Sequence, residues 1–526
     1  MNQTSRRNFM ADVGKGMLLA SVGSTIASEL GLATGMAAES AKGLNFGSLE
    51  PLVSLMQQTP SDKLLPVVVK EIQKGTELKT LVAAAALANA RAFGGQDYIG
   101  FHTFMALVPA WHMSKELPEA QRPLPVLKVL YRNTWRIQDT GHQDHEHEVL
   151  HEIAAAQADG AAPTGETVRE CSRKIDFDSA EQAFATISKS GQPGEAFNHL
   201  QYAMQDEVDV HRVVLAWRAW DTLNVTGMEH AHTLLRQSVR YCVNSEKGAC
   251  DRDKAAHEAR INSISHVRHV LPKLLDQYQL VSKPMGTRRM DDAWVESMSN
   301  TIVTSNRERA ADAVAAALAE SISPDDIGEA LSLAANSLLL RDTAARTHGD
   351  SKGVHASDSA NAWRHIAQVS NHRNAVASLI VGAYHTAGQG GDLHKQPLPF
   401  AEHLEKITSD DPAAILKQAE GAIRENNQTV ACAAVHRNGQ LGHAPRGVFD
   451  LMLKYAISED GRLHAEKYYR TVSEEFATMR PAFRWRELTA LARVTASAFS
   501  YDRLDNHGVR APGYDEACKL LGVAVS

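Results

Sequence analysis

Cysteine is scarce in this 526-residue chain: there are five, and none stands in a C-x-x-C or C-x-x-C-H spacing. That excludes covalent c-type haem attachment and the usual cysteine zinc knuckles. The chain also lacks a G-x-G-x-x-G after a strand and any G-x-S-x-G, so neither a Rossmann nicotinamide or flavin site nor a nucleophile elbow is visible. Gly388-Gln389-Gly390-Gly391-Asp392 follows a helical stretch and reads as a turn. Basic charge is not in excess, with 55 Lys and Arg against 62 Asp and Glu and a net charge of -7. Nothing therefore points to nucleic acid or to an anionic membrane surface. No apolar run approaches the roughly 20 residues of a membrane span, so no stable span is expected in the mature protein.

The N-terminus supplies context. Ser5-Arg6-Arg7-Asn8-Phe9-Met10 precedes a weakly apolar run, interrupted by Lys15, Ser21 and Ser24, and then a small-residue stretch ending near Ala37. This pattern resembles a twin-arginine export signal over residues 1–37. It implies passage through the twin-arginine translocase as a folded protein, a mature chain starting close to Ala38, and a periplasmic or extracellular destination. That route is often used where a cofactor or metal is inserted before export. In an oxidising compartment a disulfide between Cys242 and Cys250, on either side of a short loop in CVNSEKGAC, is one expectation. Free thiols at the ends of a helix and a loop are the other, and Cys171, Cys432 and Cys518 have no evident partner.

Apolar residues recur at helical spacing over 78–93, 210–221, 231–243, 310–321, 324–341, 357–388 and 412–427, while strand-like alternation is almost absent. The expected fold is all-α, a multi-helix bundle or helical array with little or no β-sheet. Start signals agree: Ser323 precedes Pro324, Asp325 and Asp326, and Asp411 precedes Pro412. Breaks at 159–195 and 281–291 suggest an N-terminal helical region over 38–280 and a C-terminal one over 281–526, which could equally be one domain.

Histidine is abundant, with 24 residues. In residues 141–153 (GHQDHEHEVLHEI), His147, Glu148 and His151 form H-E-x-x-H. On a helix the two histidines would share a face and hold a metal while the glutamate polarises water. The metzincin extension is missing, and Glu166, Glu170 and Glu181 are the candidates for a third ligand. No substrate-binding edge strand precedes the motif, and the simpler reading is a solvated, acidic helix start.

Other histidines sit among apolar residues, where an imidazole is costly unless bonded or ligated. His102 and His112 lie in GFHTFMALVPAWHM. His211 opens an apolar helix bearing tryptophan, with Glu207 expected on the same face; His230 and His232 follow in GMEHAHTLL; His355, His365 and His372 lie in one long helical stretch. His102, His211 and His355 each precede an Ala-Trp pair, ending at Trp111, Trp220 and Trp363, by about two turns. A pocket lined by these histidines, with Trp111, Trp220, Trp363, His230 and His365 as substrate-facing candidates, is the expectation. Core packing of each histidine is the alternative. Ser357-Asp358-Ser359 reads as a helix cap, and Asp505 and His507 as a possible pocket rim.

The segments DVHRVVLAWRAWDTL, VHASDSANAWRHIAQ and AVASLIVGAYHTAG resemble parts of questin oxidase-like proteins over about a third of the chain. The resemblance implies a largely helical, histidine-rich oxygenase, from a family associated with NADPH-dependent Baeyer–Villiger-type oxidation of polycyclic aromatics. It carries over to His211 and His355 and also to His102. Export would remove the chain from cytoplasmic NADPH, so another reductant or reaction is implied.

Three readings follow: an exported oxidoreductase with a histidine-lined pocket for a small hydrophobic or aromatic molecule, with or without a transition metal; a zinc hydrolase at 147–151; or a non-enzymatic metal- or ligand-binding protein.

Overall fold

The computed structural model describes residues 43–142, 148–155, 162–343, 352–499 and 509–525. The signal-like segment 1–37, His147 and the pair Asp505 and His507 lie outside them. Among the described residues there are 23 α-helices and no β-strand, isolated bridges aside. The all-α expectation therefore holds. Residues Asn45–Ser526 form one compact unit, with helices from either side of residue 281 packed on each other. No described helix is long and apolar enough to cross a membrane.

Local chemistry sets many boundaries. The Ser323 hydroxyl accepts from Asp325 N–H at 3.3 Å and starts the helix Pro324–Arg341. Asp411 accepts from Ala414 N–H at 2.8 Å and starts Pro412–Arg424. Each cap satisfies an N–H with no intrahelical partner. The helix Leu78–Phe93 is lined with alanine, and 13 of its 16 residues are buried, so it runs through the interior rather than lying on the surface.

Three sequence expectations need correction. The stretch 357–388 is two helices, Lys352–Val369 and His372–Ala387, because Asn371 caps a new start by accepting from Asn374 N–H at 3.0 Å. Ser357 and Asp358 thus lie inside a helix, and the Ser357 hydroxyl donates back to Gly353 O at 3.0 Å. Cys242 and Cys250 do not flank a loop; both sit on the helix Ala231–Ile261, which bends only at Asp253. Eight residues of helix separate their Cα atoms by about 12 Å, beyond the roughly 7 Å a disulfide spans. All five cysteines are free.

The interior also holds acids. Glu487, on the helix Arg484–Ala498, is 2% exposed. Burial, and then the Glu475 carboxylate, push its pKa up from 4.5 to about 8, against the weaker pull of Asn336 and Arg364. Between pH 4.5 and 8 the unfolded chain has released this proton while the folded chain keeps it, so stability falls as pH rises through that window. Glu487→Gln is therefore expected to stabilise the protein at pH 7.5 by on the order of 3 kcal/mol and to leave it little changed at pH 4.5. Chemical denaturation of both proteins at the two pH values checks this, and an equal midpoint at pH 7.5 would contradict it.

Candidate functional site

Four histidines from four helices meet. His102 lies on Tyr98–Ser114, His211 on Val210–Thr226, His355 on Lys352–Val369 and His464 on His464–Thr478. The helices pack in a cycle, the first on the second, the second on the third, the third on the fourth and the fourth on the first. The imidazoles close the same cycle. Ring centroids are 4.8 Å apart for His102 and His211, 5.9 Å for His211 and His355, 6.0 Å for His355 and His464, and 5.4 Å for His464 and His102. Each histidine is among the first five residues of its helix.

Local sequence places each ring. Asp97 caps the first helix, accepting from Gly100 N–H at 2.6 Å, and Asp209 caps the second, accepting from His211 N–H at 2.9 Å. Gly353, two residues before His355, passes so close to Leu339 that a Cβ would lie 2.4 Å from its Cα. Ahead of His464, Arg462 and Leu463 both adopt left-handed backbone, at φ 48° and 66°. Each such non-glycine residue costs roughly 1–2 kcal/mol. Strain of this kind clusters at functional sites, where surrounding structure enforces it.

His102 is the most sharply defined member. It is 4% exposed, and its Nδ1 lies 2.6 Å from the carbonyl oxygen of Tyr98. Nδ1 must therefore carry the proton and donate, leaving a lone pair on Nε2, which is buried with no hydrogen-bond partner. Burial, and then the nearby Lys467 ammonium and His211, hold its pKa well below the ordinary histidine value; the bond to Tyr98 opposes them weakly. A neutral imidazole fixed through Nδ1, with Nε2 open, is the form in which histidine ligates a metal.

Charged groups surround the ring. Asp209 Oδ1 is 3.5 Å from His211 Nδ1, and Oδ2 accepts from the Tyr241 hydroxyl at 2.6 Å. Burial raises the Asp209 pKa, but the bonds from His211 and Tyr241 outweigh it and hold the carboxyl below the usual carboxylate range. Asp209 also borders a cleft of about 420 Å³ shared with Glu246, His257 and Arg252. Lys467, one turn beyond His464 and 4% exposed, has its pKa lowered by burial to about 8, against the pull of Asp358 and Glu466. Burial raises the pKa of Asp358, whose Oδ1 accepts from Thr471 at 2.9 Å. Behind the ring, burial lowers His385 to about 4, and its Nδ1 accepts from Trp363 Nε1–H at 3.3 Å.

Of the residues singled out in the sequence, the structure brings together His102, His211 and His355. It adds His464, Lys467, Asp358, Asp209 and His385, none of which the sequence marked as part of a site. His464 could have been suspected only as a histidine at a helix start, since its surroundings in RLHAEKYY are polar.

The other pocket candidates are dispersed. Lys115 Nζ sits 3.2 Å over the Trp111 ring, Trp220 stacks on Phe197 at 4.8 Å, and His230 meets the edge of Phe46 at 5.8 Å. His365 stacks on Trp217 at 4.9 Å and does not share a helix with His372. Glu207 precedes the His211 helix and turns instead to Arg260 at 2.6 Å and His266 at 3.2 Å.

In the H-E-x-x-H segment, residues 148–155 carry no helix. Glu148 is 4% exposed, 2.7 Å from Arg91 Nε and bonded by Gln57 Nε2 at 3.0 Å. Glu166, Glu170 and Glu181 pair with Arg169, Arg173 and the Arg236–Arg240 couple respectively.

With metal–nitrogen bonds of about 2.1 Å, neighbouring imidazole centroids around one ion stand about 4.6–5.3 Å apart. The two spacings at His102 match this to about 0.1 Å, and the two at His355 exceed it by less than about 1 Å. Two of the four spacings thus lie outside ligating range, and among the described residues no group of three or more His, Cys, Asp or Glu side chains is placed to hold a metal ion. Imidazole nitrogens suit iron, copper or zinc.

No family model, no curated protein and no solved structure matches this chain.

Proposed function

We propose that this chain is an oxygenase-type oxidoreductase that holds one transition-metal ion among His102, His211, His355 and His464 and acts on a small hydrophobic or aromatic molecule. The observation that carries the reading is the closed cycle of four imidazoles, with the Nε2 of His102 buried and unpartnered. When bound there, a redox-active ion supplies a centre that takes up dioxygen. The protein's own groups do the rest. Tyr98 O fixes the His102 tautomer, Asp209 faces the Nδ1 of His211, and Asp358 and Lys467 provide buried acid and base beside the ring. The questin oxidase-like resemblance proposed for the His211 and His355 segments, which rests on the sequence pattern alone, belongs to the same class. The proposed substrate is a phenol or hydroquinone, which brings its own electrons. Export as a folded protein, proposed from residues 1–37 alone, agrees with a metal acquired before translocation.

The test is dioxygen uptake by full-length protein loaded separately with Fe(II), Cu(II) and Mn(II), with 1-naphthol as reductant and substrate. Uptake that needs both metal and naphthol, and is lost in His355→Ala, is expected. No uptake above the free-metal control with any of the three ions would overturn the reading.

A further inference from the structure

The residue that bonds His102 through its backbone also covers it with its side chain. Tyr98 is 60% exposed, an unusual state for an aromatic ring, because leaving so much apolar surface in water forfeits burial energy. Its ring nonetheless stands 4.4 Å from the His102 ring and 5.7 Å from the His211 ring. Phe101, one turn on, lies 4.9 Å from His102 and 5.2 Å from His211. Among the described residues, the exposed ring of Tyr98 thus stands against His102 and His211, with Phe101 buried beside it.

We infer that the Tyr98 side chain is the movable cover of the histidine site and the residue that selects planar aromatic ligands at its mouth. It stands on the first residue of its helix, where rotation about χ1 meets little of the preceding turn. Swung outward, it opens His102 and His211; its ring and that of Phe101 then offer two aromatic faces between which a planar ligand stacks in place of the Tyr98–His102 contact. The tautomer of His102 is set by the Tyr98 carbonyl, which every substitution at this position keeps, so cover and tautomer can be separated. This inference rests on the histidine cycle being the functional site, and its test does not depend on a metal.

Metal-free full-length protein is treated with diethylpyrocarbonate, which modifies accessible neutral imidazoles, and labelling is followed by peptide mass spectrometry. His443, distant in sequence and bonded to Asp410 O at the surface, is the internal standard. Tyr98→Ala is expected to raise the labelling rate of His102 and His211 at least tenfold relative to His443, and Tyr98→Phe to leave it within twofold of wild type. Saturating 2-naphthol is expected to slow labelling of both histidines at least threefold in wild type and to have no effect in Tyr98→Ala. Equal rates in wild type and Tyr98→Ala overturn the cover. Naphthol protection that is absent from wild type, or that survives in Tyr98→Ala, overturns the selection of aromatics. If the histidine cycle binds no metal while Tyr98→Ala still opens it, the functional reading fails and the cover stands.

Discussion

His102→Ala is expected to abolish stoichiometric metal binding, lowering affinity by at least a hundredfold while leaving the fold intact. His102 is the ligand candidate whose state is best fixed: Nδ1 bonded to Tyr98 O at 2.6 Å, Nε2 buried and unpartnered, and a pKa held well below the ordinary value. Changing only the carboxylate or carbonyl behind a ligating histidine costs about 10–100-fold in affinity, so deleting a ligand costs more. The fold should survive because the substitution also removes an unsatisfied buried nitrogen, whose desolvation costs about 1–3 kcal/mol, against the packing lost. Metal titration followed by the visible spectrum of the Co(II) form checks this. Unchanged affinity in His102→Ala would remove the residue from the site.

The second large effect lies under the His464 helix. Lys128 is 3% exposed, and its ammonium contacts Glu466 at 2.5 Å and donates to the carbonyls of Ala456 and Glu459 at 2.7 and 2.9 Å. It ties the helix Pro123–Asp139 to the turn and helix that present His464. Lys128→Met leaves a buried carboxylate and two carbonyls without this donor, and breaking a buried pair from one side typically costs about 3–5 kcal/mol. A loss of that size is expected in urea unfolding. The double change Lys128→Met with Glu466→Leu should recover a substantial part of it, because the stranded charge is then gone. Lys74→Met, at an exposed pair with Glu71, should shift stability by less than about 1 kcal/mol. A Lys128→Met midpoint no lower than that of Lys74→Met would contradict the account.

These two residues mark where the sequence was and was not informative. His102, His211 and His355 stood out because each sits within an apolar helix, a mismatch that local pattern reveals. His464 and Lys128 did not, because their neighbours are mixed in polarity and their burial is decided by helices hundreds of residues apart. Helix starts at Ser323 and Asp411 were legible because the cap and the first-turn proline are adjacent in the chain. The break at Asn371 was obscured by apolar spacing that continues on both sides, and the polar run SEKGAC imitated a loop within a continuous helix. The Ala-Trp pairs misled for a geometric reason. Trp111 lies nine residues beyond His102, about 13 Å along the helix, too far to line one small site.

The central claim is that four histidines, one of them invisible to motif reading, hold a single ion. The most direct measurement is elemental analysis of full-length protein purified without chelator or affinity tag, beside the His464→Ala and His147→Ala variants. The account predicts about one transition-metal ion per chain, retained in His147→Ala and lost in His464→Ala. No metal in the wild type, or loss in His147→Ala with retention in His464→Ala, would contradict it.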